Sequence, residues 1–350
     1  MSTVIAPPKP GKPWTATPKQ RLVTLGIYLA AAALAFAIVQ GTPMKGKLAY
    51  FTLFFFASVI IDFIASYVQR GIASAKDAIA RGFVTVGITL AVLPILSILF
   101  EVGKRGYKGL GIGLFTNDMS ATSVNDPIGN GGLLHAITGT VLMVAIALVV
   151  AMPIGILTAI YLTEIRGKFA VPIKFLVQAM SGVPSIVAGL FILSAYVYPI
   201  TNSLSGFAGS LSLMILMIPT IARTSEEVLL LIPQDLREAG VALGGTQWRT
   251  VALVVVPAAK SGLVTALILG IARVAGETAP LVLLTGGGEA VNLNPFDGPM
   301  GSLPIYIWKC FGQGTEESIA RAWSGILVLL VIVLALFTMA RYLSERKVRK

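Results

Sequence analysis

Apolar residues run for about the thickness of a bilayer, break at clusters of arginine and lysine, and resume, from near residue 22 to near residue 343. A helical crossing of a hydrocarbon core about 30 Å thick takes roughly 20 apolar residues. The runs near 22–40, 49–69, 82–100, 133–162, 180–200, 206–222, 252–284 and 323–343 are each expected to form a transmembrane helix, which makes the chain an all-α polytopic membrane protein. The runs 133–162 and 252–284 exceed one crossing, so they should tilt, kink at Pro153 or extend past the lipid. The first run is longer than the apolar region of an export signal and is expected to be retained as a span.

The polar pieces between the runs change the picture most at "PQDLREAGVALGGTQWRTVALVVVP", which interrupts the apolar chain between its sixth and seventh runs. Leu236, Ala239, Gly240 and Leu243 fall at the i, i+3, i+4, i+7 spacing of one helical face, with Asp235, Arg237 and Glu238 elsewhere on the turn. A short amphipathic helix follows from that spacing. Asp235 and Glu238 have the spacing of a capping box, Gly244-Gly245 supplies a left-handed stop, and Thr246 can cap a second helix carrying Trp248 and Arg249. The small residues Ala239 and Gly240 would let another protein's surface come close.

Composition agrees with the pattern. The 350 residues are 55% hydrophobic and 12% charged, with mean hydropathy +0.84, whereas soluble domains are roughly a quarter charged. The net charge of +11 suggests nucleic acid only until its distribution is considered. If the spans alternate, Lys9, Lys12, Lys19, Arg21, Arg70, Lys76, Arg81, Arg166, Lys168, Lys174, Arg223, Arg237, Arg249 and the basic end from Arg341 to Lys350 all fall on one side. The positive-inside rule makes that side cytoplasmic, with both termini on it and no call for a nucleic-acid partner. Residues 1–20, rich in Pro and Lys, are expected to be disordered, 21–80 to form a hairpin of two extra spans, 81–343 to form the main membrane domain, and 344–350 to be a basic tail. On the other side, 102–132 and 285–308 are long, glycine-rich loops of the kind that cover or bind something.

Few residues offer chemistry. Cys310 and His135 are the only cysteine and histidine, so no metal site, cofactor site or catalytic set is expected. His135 is expected to be an interfacial or packing residue, and Asp62 an isolated carboxylate that is either protonated or turned to another subunit. "GTPMKGKL" nearly spells a phosphate-binding loop, but Leu48 replaces its hydroxyl residue and no strand precedes it. Thr138 and Thr140 could line a path, although membrane threonines more commonly bond their own helix backbone. Arg273 and Glu277, four apart in an apolar run, should share a helical face at a depth where each charge costs roughly 2.5–3.5 kcal/mol. They would face each other, a partner helix or a water-filled path, either as a structural ion pair or with Arg273 as a transient guanidinium contact for an oxyanion.

The order Glu238-Ala239-Gly240, three residues, Gly244, nine residues, Val254, one residue, Val256-Pro257 resembles the EAA signature of permease subunits in ATP-binding-cassette importers. Valines replace two aliphatic positions and Gly240 the last small one. With "MSGVPSIVAGLF", "IPTIARTSEEVLLLIP", "ARVAGETAPLVLLTG" and "SLPIYIW" in order, the chain from about Arg81 to Tyr342 is similar to the PstA-type phosphate permeases. The resemblance implies a type I importer core of six helices with about two additional N-terminal spans, in a bacterial or archaeal cell membrane. It also implies that Leu236, Glu238, Ala239, Gly240, Leu243 and Gly244 couple to the ATPase, and that Arg273, Glu277, Thr138 and Thr140 are candidates for the path. The expected partners are a second, PstC-like permease, two PstB-like cytoplasmic ATPases that hydrolyse ATP in place of this non-catalytic chain, a PstS-like extracytoplasmic phosphate-binding protein, and membrane lipid. A permease for sulfate or molybdate, or the paired phosphate permease, is the alternative; an intramembrane enzyme would need a polar set that is missing, and a passive channel would leave the EAA element unexplained.

Overall fold

The computed structural model describes residues 18–42 and 46–346. Most of the expected N-terminal segment and the last four residues of the basic tail lie outside the described residues. Residues 18–20 are helical instead of disordered, and 344–346 continue the last helix.

All regular elements among the described residues are helical: α1 (Pro18–Gly41), α2 (Lys47–Arg70), α3 (Ile72–Gly106), the short α4 (Ile112–Thr116), α5 (Leu134–Ile160), α6 (Ala170–Ser181), α7 (Ser185–Ile192), α8 (Gly206–Leu230), α9 (Gln234–Ala242), α10 (Gln247–Thr250), α11 (Val256–Ala275), α12 (Ala279–Leu284), α13 (Leu303–Gln313) and α14 (Glu316–Arg346). Among the described residues seven helical stretches are long and apolar enough to cross a membrane, and the bent pair 170–181 with 185–201 is an eighth if it counts as one span. The expected eight runs are therefore present with different ends. The third begins at Ile72, ten residues before its apolar part, because "IASAKDAIAR" is a good helix former.

The fifth run is not one straight helix. Residues 170–181 and 185–201 meet at 104°, and the cause is local: Pro184 lacks an N–H and pushes Val183 out of the helical region. The seventh run also stops short. It ends at Ala275, and Gly276, Glu277 and Thr278 separate it from α12. Pro153, by contrast, lies inside α5 without ending it, and that helix continues through a π turn at Tyr161–Ile165.

The residues fall into two compact units, one up to Leu99 and one from Phe100 onward, so most of α3 belongs with the hairpin instead of with the main domain. In the second unit, α8 is the central helix. Leu213, Leu216, Met217 and Ile221 pack against Met143, Ala147 and Ala151 of α5, Ala188 of α7, Val274 of α11 and Leu281 of α12. Close approach is built in: a Cβ on Gly155 of α5 or on Gly270 of α11 would meet the Ile221 side chain at 2.7 or 2.8 Å. Such small-residue contacts are how helices pack where lipid supplies no hydrophobic drive.

The two long loops are ordered against each other. Met119 N–H donates to Glu289 O at 3.0 Å, and Val291 N–H donates to Asp118 Oδ2 at 3.2 Å. Arg321 of α14, 2% exposed, reaches into the first loop and donates to the carbonyls of Ser123, Asp126, Pro127 and Asn130 at 2.8–3.3 Å. The burial is offset by these bonds from Nη1 and Nη2, although Nε has no partner among the described residues.

Candidate coupling and translocation site

The EAA stretch folds as a helix, a glycine turn and a second helix. Leu243 N–H donates to Ala239 O at 3.1 Å and Gly244, at φ +81°, turns the chain in the left-handed region as the sequence predicts. Thr246 Oγ1 accepts from Arg249 N–H at 3.4 Å and caps α10. The expected capping box is absent. Pro233, extended at ψ 144°, is the residue before the helix and has no side-chain cap bond. The chain thus enters α9 one residue ahead of Asp235, whose carboxylate sits in the first turn, where it complements the helix dipole.

Of the expected coupling residues, Leu236, Glu238, Ala239, Leu243 and Gly244 are exposed. Leu243 is 89% exposed, and Val241 and Trp248 are also exposed. Gly240 is half-buried. A Cβ there would meet Thr250 Cγ2 at 2.5 Å, so its smallness serves the packing of α9 on α10 within this chain.

Sequence spacing did not reveal what holds α9 in place. Arg237 donates through Nε and Nη2 to the Glu164 carboxylate at 2.8–3.2 Å, and through Nη1 and Nη2 to Ile232 O and Leu229 O at 2.6 and 2.9 Å. Gln247 Nε2 donates to Glu164 O. The hydrogen bond with Glu164 raises the Arg237 pKa above its already high ordinary value. One guanidinium therefore ties α9 to the end of α8 and to the π turn that continues α5. Nearby, Lys174 Nζ of α6 pairs with the buried Glu226 of α8 at 2.8 Å. Glu164 and Arg237 lie 73 residues apart, and their only sequence signal was a lone carboxylate at the end of an apolar run.

The path candidates are rearranged more strongly. Arg273 and Glu277 do not share a helical face, because α11 ends at Ala275 between them, and no ion pair joins them among the described residues. Gly276 and the approach of Pro280 end the helix. Arg273 is exposed and donates from Nη1 to Thr220 Oγ1 of α8 at 3.2 Å. It lies two residues before the end of α11. Thr138 Oγ1 donates to Leu134 O at 2.7 Å. Thr140 Oγ1 donates to Ala136 O and accepts from Leu303 N–H, both at 2.8 Å. Both hydroxyl protons are spent on backbone, and Thr140 is a buried pin for the start of α13. His135 is buried against Tyr306, as a packing residue should be. Asp62 is not isolated: Arg81 Nη2 pairs with its Oδ2 at 3.1 Å.

Residues 151–349 match the family described as binding-protein-dependent transport system inner membrane component. The chain is 36% identical over 279 residues to the phosphate transport system permease protein PstA 1 of Mycobacterium tuberculosis, covering 78% of this chain and 90% of that protein. It is 34% identical over 268 residues to PstA of Haemophilus influenzae, covering 76% and 93%. Among solved structures, an inward facing MetNI methionine ABC transporter aligns at 21% identity over 61% of this chain and 94% of that one, with a TM-score of 0.47. With so much of both chains shared at this identity, the protein belongs to the PstA-type phosphate transport permeases among the binding-protein-dependent inner membrane components.

Proposed function

We propose that this chain is the permease subunit of an ATP-driven phosphate importer, forming half of the path for inorganic phosphate. The observation that carries the reading is the 34–36% identity to PstA proteins across 90–93% of their length. The chain works in the membrane with an ATPase and a binding protein. In finer terms, a PstC-like permease completes the path, two PstB-like subunits hydrolyse ATP, and a PstS-like protein delivers phosphate to the outer loops. Both termini and α9 face the cytoplasm, as the distribution of Lys and Arg favours.

The coupling role rests on the exposed apolar surface of Leu236, Leu243 and Trp248, which suits a hydrophobic groove on the ATPase. Closure of the ATPases pushes α9, and the Arg237 fork carries the movement into α5 and α8 together. At the break after α11, Arg273 makes a weak, transient contact with the oxyanion. A deep, fully enclosed anion site would hold its cargo, so tight binding belongs to the delivery protein.

Uptake of phosphate into proteoliposomes holding the assembled transporter and its binding protein tests the reading. ATP-dependent uptake that excess sulfate or molybdate leaves unchanged is expected. Uptake lost to either competitor would keep the permease and overturn the substrate; uptake without ATP would point to a channel.

A further inference from the structure

The three helices of the first unit enclose a crevice that the transport cycle above does not use. Its volume is about 1280 Å³ and its lining runs from Val23 to Thr89. One end is polar, with Asp62, Ser66, Arg70, Asp77 and Arg81; the other is walled by Tyr28, Phe54, Phe55 and Val59. Arg81 spends only Nη2, on Asp62 Oδ2 at 3.1 Å and Ser66 Oγ at 3.5 Å. Its Nε and Nη1, and all of the Arg70 guanidinium, have no hydrogen-bond partner among the described residues. Arg70 and Arg81 are the cations of this lining and Asp62 and Asp77 its carboxylates, and of these only Asp62 is paired among the described residues, with Arg81.

We propose that this crevice holds an anionic phospholipid, its phosphate bound by Arg70 and Arg81 and an acyl chain laid along the aromatic wall. The free Arg70 guanidinium and the Nε and Nη1 of Arg81 offer planar donors to a phosphate diester, and basic pockets between membrane helices are suited to such headgroups. The apolar continuation selects the lipid over a free anion, which would occupy the polar end and leave the aromatic wall uncovered. Asp62, matched by Arg81, sets the angle of that guanidinium and opposes a second negative charge nearby.

The full-length transporter is purified in mild detergent, titrated with phosphatidylglycerol or with phosphatidylcholine, and the bound lipids are counted by native mass spectrometry. One phosphatidylglycerol retained in preference to phosphatidylcholine is expected. Its affinity should fall about tenfold in Arg70→Gln, which removes charge-assisted bonds from a side chain that holds no other part of the fold, and rise in Asp62→Asn. Retention indifferent to headgroup, or unchanged in Arg70→Gln, overturns the site. Displacement by excess inorganic phosphate overturns the lipid as occupant. Retention by the isolated chain but not by the assembled transporter overturns it in favour of a partner helix.

Discussion

Replacing Arg237 with glutamine strands the Glu164 carboxylate, whose side chain is 5% exposed, without its bidentate partner. Breaking such a pair from one side costs about 3–5 kcal/mol when it is fully buried, and the 18% exposure of Arg237 places this case at the low end. Thermal unfolding should show Arg237→Gln well below wild type and Arg237→Gln with Glu164→Gln partly restored; equal midpoints for the two would remove the clamp from the account. Arg273 behaves differently, since it is exposed and makes one side-chain bond, to Thr220. Arg273→Gln should assemble normally and transport little, with Thr220→Ala milder. Wild-type uptake by Arg273→Gln would make the residue a packing group. The presence of both arginines was legible in the sequence, but their partners were not. Glu164 is far away along the chain, and the loss of Glu277 as a partner follows from a helix end that three residues in a long apolar run barely signal.

Helical elements here are short where the chain must turn, and the turn glycines divide the labour. Gly240 makes room for Thr250, and Gly244 supplies the positive φ. Gly244→Ala should cost about 1–2 kcal/mol through backbone strain. Gly240→Ala should cost about 1–3 kcal/mol through overpacking, and only this second loss should be relieved by Thr250→Ser in a double-mutant cycle on unfolding or on ATPase stimulation. Additive effects of Gly240→Ala and Thr250→Ser would show that the two do not touch. The period of Leu236, Ala239, Gly240 and Leu243 predicted the helix, and Gly244 with Thr246 its stop and restart. Which small residue meets a partner and which meets its own chain depends on how α9 folds back on α10, a tertiary fact that no helical period contains. The 104° bend before α7 did carry a local signal, Gly182 and Pro184, overridden in reading by the apolar residues around it.

At the scale of the molecule, the loops 102–132 and 285–308 are tied to each other by specific bonds. Bonds from the Ser120 hydroxyl and then its N–H hold the Asp118 carboxyl below the usual range, with Val291 N–H adding to them. A carboxyl whose folded pKa is depressed stabilises the fold above its ordinary pKa of about 3.9 and loses that contribution as pH falls through the lowered value. Hydrogen exchange at Val291 should therefore stay protected from neutral pH to about 4 and open only below it. In Asp118→Asn it should open at every pH, and protection unchanged by that variant would sever the link between the loops. Glycine content and length marked both loops as functional in the sequence, but the bonds between them join distant segments and could not be read there. The last of these attachments is Arg321, whose guanidinium sits among four carbonyl oxygens. Loops elsewhere gather carbonyls in this way around calcium. Here the cation is covalently tethered to α14, so it cannot dissociate, be chelated or be diluted. The order of this loop is thereby made independent of the divalent-ion content of the surrounding solution.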